Sequence, residues 1–170
     1  MLETLRVSHP AIRIELSLSN QRADLLSQEV DLAVRTVAPD QQALLARKVA
    51  TIPLGMFASH AYVARRGRPE TLEDLANHDM IGPDRDPLDL EFARRLGLTF
   101  ALNRMVLRTD SHPAQIAAAR AGVGIAVAQV PLCEADPRLV RILPDYAPVQ
   151  MGTWIVTHEN LARVPRVRAA

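Results

Sequence analysis

The chain has 170 residues, and its 20 basic and 19 acidic side chains give a formal net charge of +1 with histidine neutral. This balance argues against a domain that binds nucleic acid by bulk electrostatics, although a local basic patch is compatible with it. Hydrophobic residues make up 48% of the chain, which is typical of one globular domain or of two small lobes. The single cysteine, Cys133, excludes an internal disulfide framework and a cysteine-rich zinc site.

The first part of the chain predicts two strands with a helix between them. Residues 12–18 alternate apolar and polar side chains, as a half-buried strand does, and residues 31–35 predict a second strand. Residues 23–30 place their leucines and Val30 on one side of a helix. Strand, helix and strand in succession predict a parallel βαβ unit with a right-handed crossover.

The middle of the chain alternates apolar runs with helix signals. A strand is predicted at 52–58, and a helix follows from Ser59 to Gly67, where glycine can adopt a left-handed cap. Thr71 and Asp74 approximate a capping box that opens the next helix. The remaining predictions for this stretch are a strand at 80–82, a solvated loop at 83–91 and a helical turn at 92–96.

The clearest pattern lies between residues 104 and 129. Residues 105–108 predict a strand, and Thr109, Asp110 and Ser111 can cap the alanine-rich helix at 114–121. Gly122 ends that helix, and 123–127 is a continuous apolar run typical of a buried parallel strand. The last predicted elements are a short helix at 131–134 and strands at 139–143 and 152–157. The whole pattern predicts an α/β fold with mostly parallel sheets.

Several short motifs span nearly the whole chain in order. Among them are His9-Pro10-x-Ile12-x-Ile14-x-Leu16, Val30-Asp31-Leu32-Ala33-Val34-Arg35, Gly67-x-Pro69-x-Thr71-x-x-Asp74-Leu75-x-x-His78 and Ala121-Gly122-Val123-Gly124-Ile125-Ala126. Each motif alone is weak, but together they resemble the C-terminal effector-binding (substrate-binding) domain of LysR-type transcriptional regulators.

The resemblance implies a two-lobed α/β fold similar to type 2 periplasmic binding proteins, with a mixed, mostly parallel sheet in each lobe. Lobe I would comprise residues 1–57 plus 153–170, and lobe II residues 58–152. Two crossover strands would join the lobes, and a small effector would bind in the cleft between them.

The sequence departs from the family pattern in three places. A winged helix-turn-helix and its linker helix are missing, the strand that normally precedes the first helix is missing, and the closing helix is cut short. We therefore expect a chain truncated at both ends, with an exposed sheet edge and no specific DNA binding of its own. In the parent protein, DNA would be contacted only through the helix-turn-helix.

Ligands of open α/β sheets bind beyond the carboxyl ends of strands, where helix N-termini direct free N–H groups. Four such strand ends are predicted, at residues 17–20, 35–36, 81–83 and 109–111. Their hydroxyl, amide and N–H donors favour a small carboxylate as the ligand. Asp110 would repel an anion that it faced, so we favour its neighbours as contacts. The candidate ligand-binding residues are Ser17, Ser19, Asn20, Arg35, Thr36, Ile81, Gly82, Thr109 and Ser111.

Each candidate also has a purely structural interpretation. The serines and Thr109 can cap strand or helix ends, Arg35 can pair with Asp31 or Asp40, and Ile81 can belong to the core. The resemblance further implies a homodimer or homotetramer whose copies pair antiparallel. The residues expected at that interface are Leu2, Leu5, His9, His112, Gln115, Ile116, Ala119 and Arg120.

Function is predicted as effector sensing and oligomerisation within a transcription regulator. Three alternatives stay open: a stand-alone solute-binding protein of the same fold, a small α/β enzyme, and a non-functional fragment. The enzyme would have only Asp110 and His112 as an acid–base pair, and their spacing is poor. The five histidines lack metal-ligand spacing, so we expect no metal, no cofactor and no catalysis. Without an export signal or a membrane span, the expected location is the cytoplasm.

Overall fold

The computed structural model describes residues 2–18, 30–37, 43–95, 97, 104–146 and 149–169. Contacts divide the chain into two compact units: unit 1 comprises Met1–Thr51 and Gly152–Ala170, and unit 2 comprises Ile52–Met151. The lobe boundaries implied by the resemblance stay a prediction. The helix predicted at 23–30 lies outside the described residues except for its last residue, Val30.

Six α-helices, one 3₁₀ helix and seven strands lie within the described residues. The α-helices are α1 (Leu2–Ser8), α2 (His60–Arg66), α3 (Pro87–Arg95), α4 (His112–Arg120), α5 (Val130–Glu134) and α6 (Pro165–Ala169), and the 3₁₀ helix spans Glu73–Asn77. The strands are β1 (Ala33–Arg35), β2 (Leu44–Ser59), β3 (Met80–Gly82), β4 (Met105–Arg108), β5 (Ile125–Gln129), β6 (Leu139–Ile142) and β7 (Gln150–His158).

Unit 2 contains a mixed sheet covered on both faces. Strand β2 pairs antiparallel with β5 and β6, whereas β3 pairs in parallel with β4 and β5. Successive side chains of β2 point to opposite faces, so Met56 and Phe57 enter different core clusters. Tyr62 of α2 and Leu75 of the 3₁₀ helix pack on the Met56 face, whereas residues of α4 and α5 pack on the Phe57 face.

Unit 1 has a smaller core. Strand β1 pairs antiparallel with β7, with Ala33 opposite Val156 and Arg35 opposite Trp154. The buried side chains of this cluster are Leu44 and Val156, and partly buried Trp154 packs against them. Strand β7 also neighbours β2 in the sheet.

The predicted caps of α2 and of the following 3₁₀ helix are confirmed. The Ser59 hydroxyl accepts the N–H of Tyr62 at 3.1 Å, and Gly67 ends α2 with φ of 82°. Thr71 and Asp74 form the predicted reciprocal pair: the Asp74 N–H donates to the Thr71 hydroxyl at 3.3 Å, and the Thr71 N–H donates to the Asp74 carboxylate at 2.9 Å. The element that they open is a 3₁₀ helix.

Tyr62 of α2 and His78 form a buried, hydrogen-bonded pair. The Tyr62 hydroxyl accepts the N–H of Asp79 at 2.9 Å and lies 3.1 Å from Nδ1 of His78. Burial lowers the pKa of His78, and the nearby cation of Arg66 lowers it further, whereas Asp79 and Asp74 oppose the shift. A neutral His78 can therefore accept a hydrogen bond from the Tyr62 hydroxyl.

Two sequence predictions are wrong. The strand predicted at 12–18 does not form, because among the described residues no strand pairs with it, and most of its side chains are exposed. The predicted parallel βαβ unit is therefore not observed, and β1 instead pairs antiparallel with β7. The loop predicted at 83–91 ends early, because α3 begins at Pro87. The Asp86 carboxylate accepts the N–H groups of Leu88 and Asp89 at 2.9 and 3.3 Å, which caps this helix.

Gly124 allows β5 to approach the chain segment before β3. A Cβ atom at Gly124 would lie 2.4 Å from the carbonyl oxygen of Asp79, and this same oxygen accepts the N–H of Ile125 at 2.9 Å. The clash would be with backbone, which cannot rotate away as a side chain can. The absence of a side chain at 124 therefore permits the parallel β3–β5 pairing.

We expect Gly124→Ala to lower the free energy of unfolding by about 3 kcal/mol through this steric clash. Gly67→Ala is the matched control: Gly67 has φ of 82° and ψ of 172°, but a Cβ atom there would have no other atom within 4 Å, so only conformational strain of about 1–2 kcal/mol is expected. Urea unfolding of both variants measures the difference. Equal losses in the two variants would show that the approach of β5 to Asp79 is not sterically constrained.

Candidate functional site

The site begins where β3 and β4 end. Because the two strands are parallel, Gly82 lies opposite Arg108, and the residues that follow both strands meet at one edge of the sheet. The N–H of Thr109 donates to the carbonyl oxygen of Gly82 at 2.9 Å, which continues the pairing beyond β4. The structure thus brings together three of the predicted contacts, Gly82, Thr109 and Ser111.

The hydroxyl groups of Thr109 and Ser111 cap the start of α4. The Thr109 hydroxyl accepts the N–H of Ser111 at 3.2 Å, and the Ser111 hydroxyl accepts the N–H of Ala114 at 3.4 Å. Gln115 is buried, and its side-chain amide donates to the carbonyl oxygen of Thr109 at 2.7 Å. Both hydroxyl oxygens act as acceptors in these bonds, so the hydroxyl protons of Thr109 and Ser111 take no part in them.

Asp110 binds the loop that follows β3. Its Oδ1 atom accepts the N–H groups of Asp84, Arg85 and Asp86 at 2.8, 3.0 and 3.1 Å. These bonds, with the Asp86 N–H contributing most, lower the pKa of Asp110 against an opposing effect of burial. The sequence suggests Asp110 as a helix cap, as a charge that repels an anion and as half of an acid–base pair. It does not predict this role, because the bonding partners lie 24 to 26 residues away along the chain.

His112 joins α4 to α3. Its Nε2 atom lies 2.8 Å from the carboxylate of Asp89, in the first turn of α3. This hydrogen bond raises the pKa of His112, burial opposes it, and the charges of Asp89, Asp86 and Asp110 add to the rise. These hydrogen bonds join Asp110 to the loop at 84–86 and His112 to Asp89.

The two predicted contacts in β3 are buried within unit 2. The Ile81 side chain belongs to the core cluster that contains Phe57. A Cβ atom at Gly82 would lie 2.3 Å from the terminal carbon of Met105, so Met105 occupies the space beside this glycine. Packing against Met105 accounts for glycine at 82 without a ligand.

The predicted contacts in unit 1 lie on different segments. Ser17 and Thr36 are exposed, Arg35 is half-buried in β1, and Ser19 and Asn20 lie outside the described residues. Asp31, one proposed partner of Arg35, accepts hydrogen bonds from Nη2 and Nε of Arg166, at 2.9 and 3.0 Å. This pairing lowers the pKa of Asp31.

The residues predicted at a dimer interface differ in exposure. On α1 and just after it, Leu2 and His9 are exposed and Leu5 is half-buried. On α4, Gln115 and Ala119 are buried inside unit 2, whereas His112 is exposed and Ile116 and Arg120 are half-buried. Burial of Gln115 and Ala119 removes them from the surface that α4 offers, and the interface itself stays a prediction.

Unit 2 also has an open groove of about 460 Å³, lined by residues 68–72 and 143–146. It contains none of the predicted contacts. Leu143 on its wall has φ of 47°, in the left-handed region that favours glycine. The groove and the strand ends are separate features of unit 2.

The described residues contain no group of three His, Cys, Asp or Glu side chains that could hold a metal ion. Within that same part of the chain, no helix is long and apolar enough to cross a membrane. Cys133 is buried, and burial raises the pKa of its thiol, as expected for an unreactive cysteine.

Solved structures that resemble this chain include regulatory domains of LysR-type transcriptional regulators. The regulatory domain of CrgA from Neisseria meningitidis superimposes with a TM-score of 0.83 at 22% identity, covering 98% of this chain and 84% of that one. The effector domain of AmpR from Pseudomonas aeruginosa gives 0.71 at 24% identity, covering 99% and 81%. These likenesses confirm the predicted fold class, the α/β fold similar to type 2 periplasmic binding proteins.

Residues 1–170 match the LysR substrate binding domain family, and the chain belongs to that family. It is 29% identical over 170 residues to an uncharacterized HTH-type transcriptional regulator of Haemophilus influenzae, covering 96% of this chain and 58% of that protein. It is 30% identical over 167 residues to the HTH-type transcriptional regulator PtxR of Pseudomonas aeruginosa, covering 94% and 53%. The chain thus spans about half the length of the curated relatives it matches.

We expect His112→Gln to destabilise the protein more at pH 6 than at pH 9. A histidine whose pKa is raised by folding contributes its stabilisation fully below its unfolded pKa of about 6.5 and loses it as the pH rises through the folded pKa. Melting temperatures of the wild type and variant at both pH values measure the effect. Asp89→Asn should show the same pH dependence, and the double variant should show little further loss. A difference that does not vary with pH would contradict the charged His112–Asp89 pair.

Proposed function

We propose that the chain is the sensor part of a LysR-type transcription regulator and that it binds a small-molecule effector, of which a carboxylate is the predicted class. Membership of the LysR substrate binding domain family supports this proposal, and the curated relatives are HTH-type transcriptional regulators. In the whole protein, DNA binding would belong to a helix-turn-helix outside the matched region.

The observation that carries the proposal is the meeting of two strand ends at the start of α4. The Thr109 N–H donates there to the carbonyl oxygen of Gly82, and the Thr109 and Ser111 hydroxyls accept backbone N–H groups, so the hydroxyl protons take no part in these bonds. Hydroxyl donors at a helix N-terminus suit an oxygen that carries negative charge, because the helix dipole favours anions at that end. This arrangement supports an effector site at this edge of unit 2.

Effector binding would act on transcription through the oligomer, a homodimer or homotetramer of the parent protein. A ligand shifts an equilibrium between two states only to the extent that it binds them with different affinity. The predicted cleft between the lobes and the contacts Ser17, Arg35 and Thr36 belong to this proposal.

The test is a titration of the chain with benzoate and succinate, followed by thermal shift and by calorimetry. Binding to the native state raises the melting temperature in a concentration-dependent manner. We expect Thr109→Val, Ser111→Ala and Arg35→Ala each to weaken the binding of a responding carboxylate about tenfold, through the loss of one charge-assisted hydrogen bond.

Thr71→Val is the matched control for Thr109→Val, because Thr71 also caps a helix in unit 2 but lies away from the strand ends. Ser111→Ala loses a cap and so lowers stability by about 1 kcal/mol. The ligand-induced change is therefore compared within each variant. Affinities unchanged in all three site variants would rule out the proposed contacts.

A further inference from the structure

The loop between β3 and α3 forms a concave set of backbone donors. Three consecutive N–H groups, those of Asp84, Arg85 and Asp86, converge on a single carboxylate oxygen, Oδ1 of Asp110. Successive N–H groups that converge in this way make an anion-binding nest. In this protein the ligand of the nest is a side chain of the chain itself.

Further hydrogen bonds close a ring around the nest. The Asp86 carboxylate accepts the N–H groups of Leu88 and Asp89 at the start of α3, and the Asp89 carboxylate binds His112 at 2.8 Å. His112 follows Asp110 by two residues, so the ring returns to where it began. Arg108, which is exposed, donates to the carbonyl oxygen of Asp84 at 2.8 Å.

The ring engages five backbone donors at this edge of unit 2. Residues 84–86, 88 and 89 donate to the aspartate carboxylates, and Ser111 and Ala114 donate to hydroxyl oxygens. The first helical residues of α3 and α4 include Pro87 and Pro113, which have no N–H. An incoming carboxylate could use the nest only by displacing Asp110.

We propose that Asp110 is the resident ligand of the 84–86 nest and a specificity-determining residue of the site: it excludes an effector carboxylate from these N–H groups and leaves the hydroxyl groups of Thr109 and Ser111 as donors. This inference rests on the proposed function for its biological meaning. The nest and its occupancy are tested without an effector.

The experiment removes the resident carboxylate and supplies a free one. Asp110→Ala empties the nest and should lower the melting temperature by roughly 5 °C, because three N–H groups, two of them half-buried, lose their acceptor. Sodium formate, compared with sodium chloride at equal ionic strength, should restore part of this loss in a saturable manner. Formate has the carboxylate that Asp110→Ala lacks and is small enough to take its place.

Three proteins serve as controls for the formate effect. The wild type keeps its own carboxylate, and Asp110→Asn keeps a side chain of the same size, so neither should respond to formate more than to chloride. Asp145→Ala, at an exposed aspartate elsewhere in unit 2, should neither lose stability nor respond. A formate response in Asp110→Ala no larger than in the wild type would overturn the proposal.

Hydrogen exchange provides a second readout, which does not require Asp110→Ala to fold. In Asp110→Asn a neutral amide oxygen replaces the carboxylate oxygen and accepts more weakly, so the N–H groups of 84–86 should exchange about tenfold faster than in the wild type, while those of β5 stay protected. Unchanged protection at 84–86 would also overturn the proposal. Failure of benzoate and succinate to bind the wild type would instead count against the proposed function and leave the nest result standing.

Discussion

Strand β3 has parallel hydrogen-bonded neighbours on both sides, β4 and β5, and the geometry of the candidate site depends on this pairing. Parallel neighbours bring their carboxyl ends to the same edge of a sheet, so the loops after β3 and β4 are forced together. The pairing in turn depends on tight backbone packing: Gly124 leaves room for the carbonyl of Asp79, and Gly82 leaves room for Met105. Every residue of β3 is buried, as expected for a strand that is covered on both faces.

Several aspartates of unit 2 accept hydrogen bonds from other parts of the chain. Asp110 binds the loop at 84–86, Asp74 binds the N–H groups of Glu70 and Thr71, and Asp86 caps α3. Asp136 is buried and bound by the guanidinium groups of Arg120 and Arg138, and its bonds to Arg138 hold its pKa far below the usual range. Charge-assisted hydrogen bonds of this kind hold a loop in one conformation even where few apolar side chains are buried beneath it. The edge of the sheet where a ligand is proposed to bind is therefore preformed.

Much of the local structure could be predicted from the sequence, because the interactions that decide it are close along the chain. Ser59 caps α2 three residues ahead, Thr71 and Asp74 bond to each other, and Gly122 ends α4 with φ of 79°. Strands β3 and β5 could be located because residues on both of their faces are buried, which leaves continuous apolar runs. The start of α3 was missed, although Asp86 followed by Pro87 is a recognisable helix opening.

The amino-acid sequence was enough to infer the family, the α/β class, the caps of α2 and α4, and Thr109 and Ser111 as polar groups at a strand end. Which groups these residues contact depends on the folded chain. Asp110 binds N–H groups 24 to 26 residues away, and His112 binds Asp89, 23 residues away. The period-two pattern at 12–18 likewise depends on a partner strand, and none pairs with it among the described residues. A pattern along the chain fixes which side chains can share a face, but hydrogen-bond partners depend on which segments folding brings together.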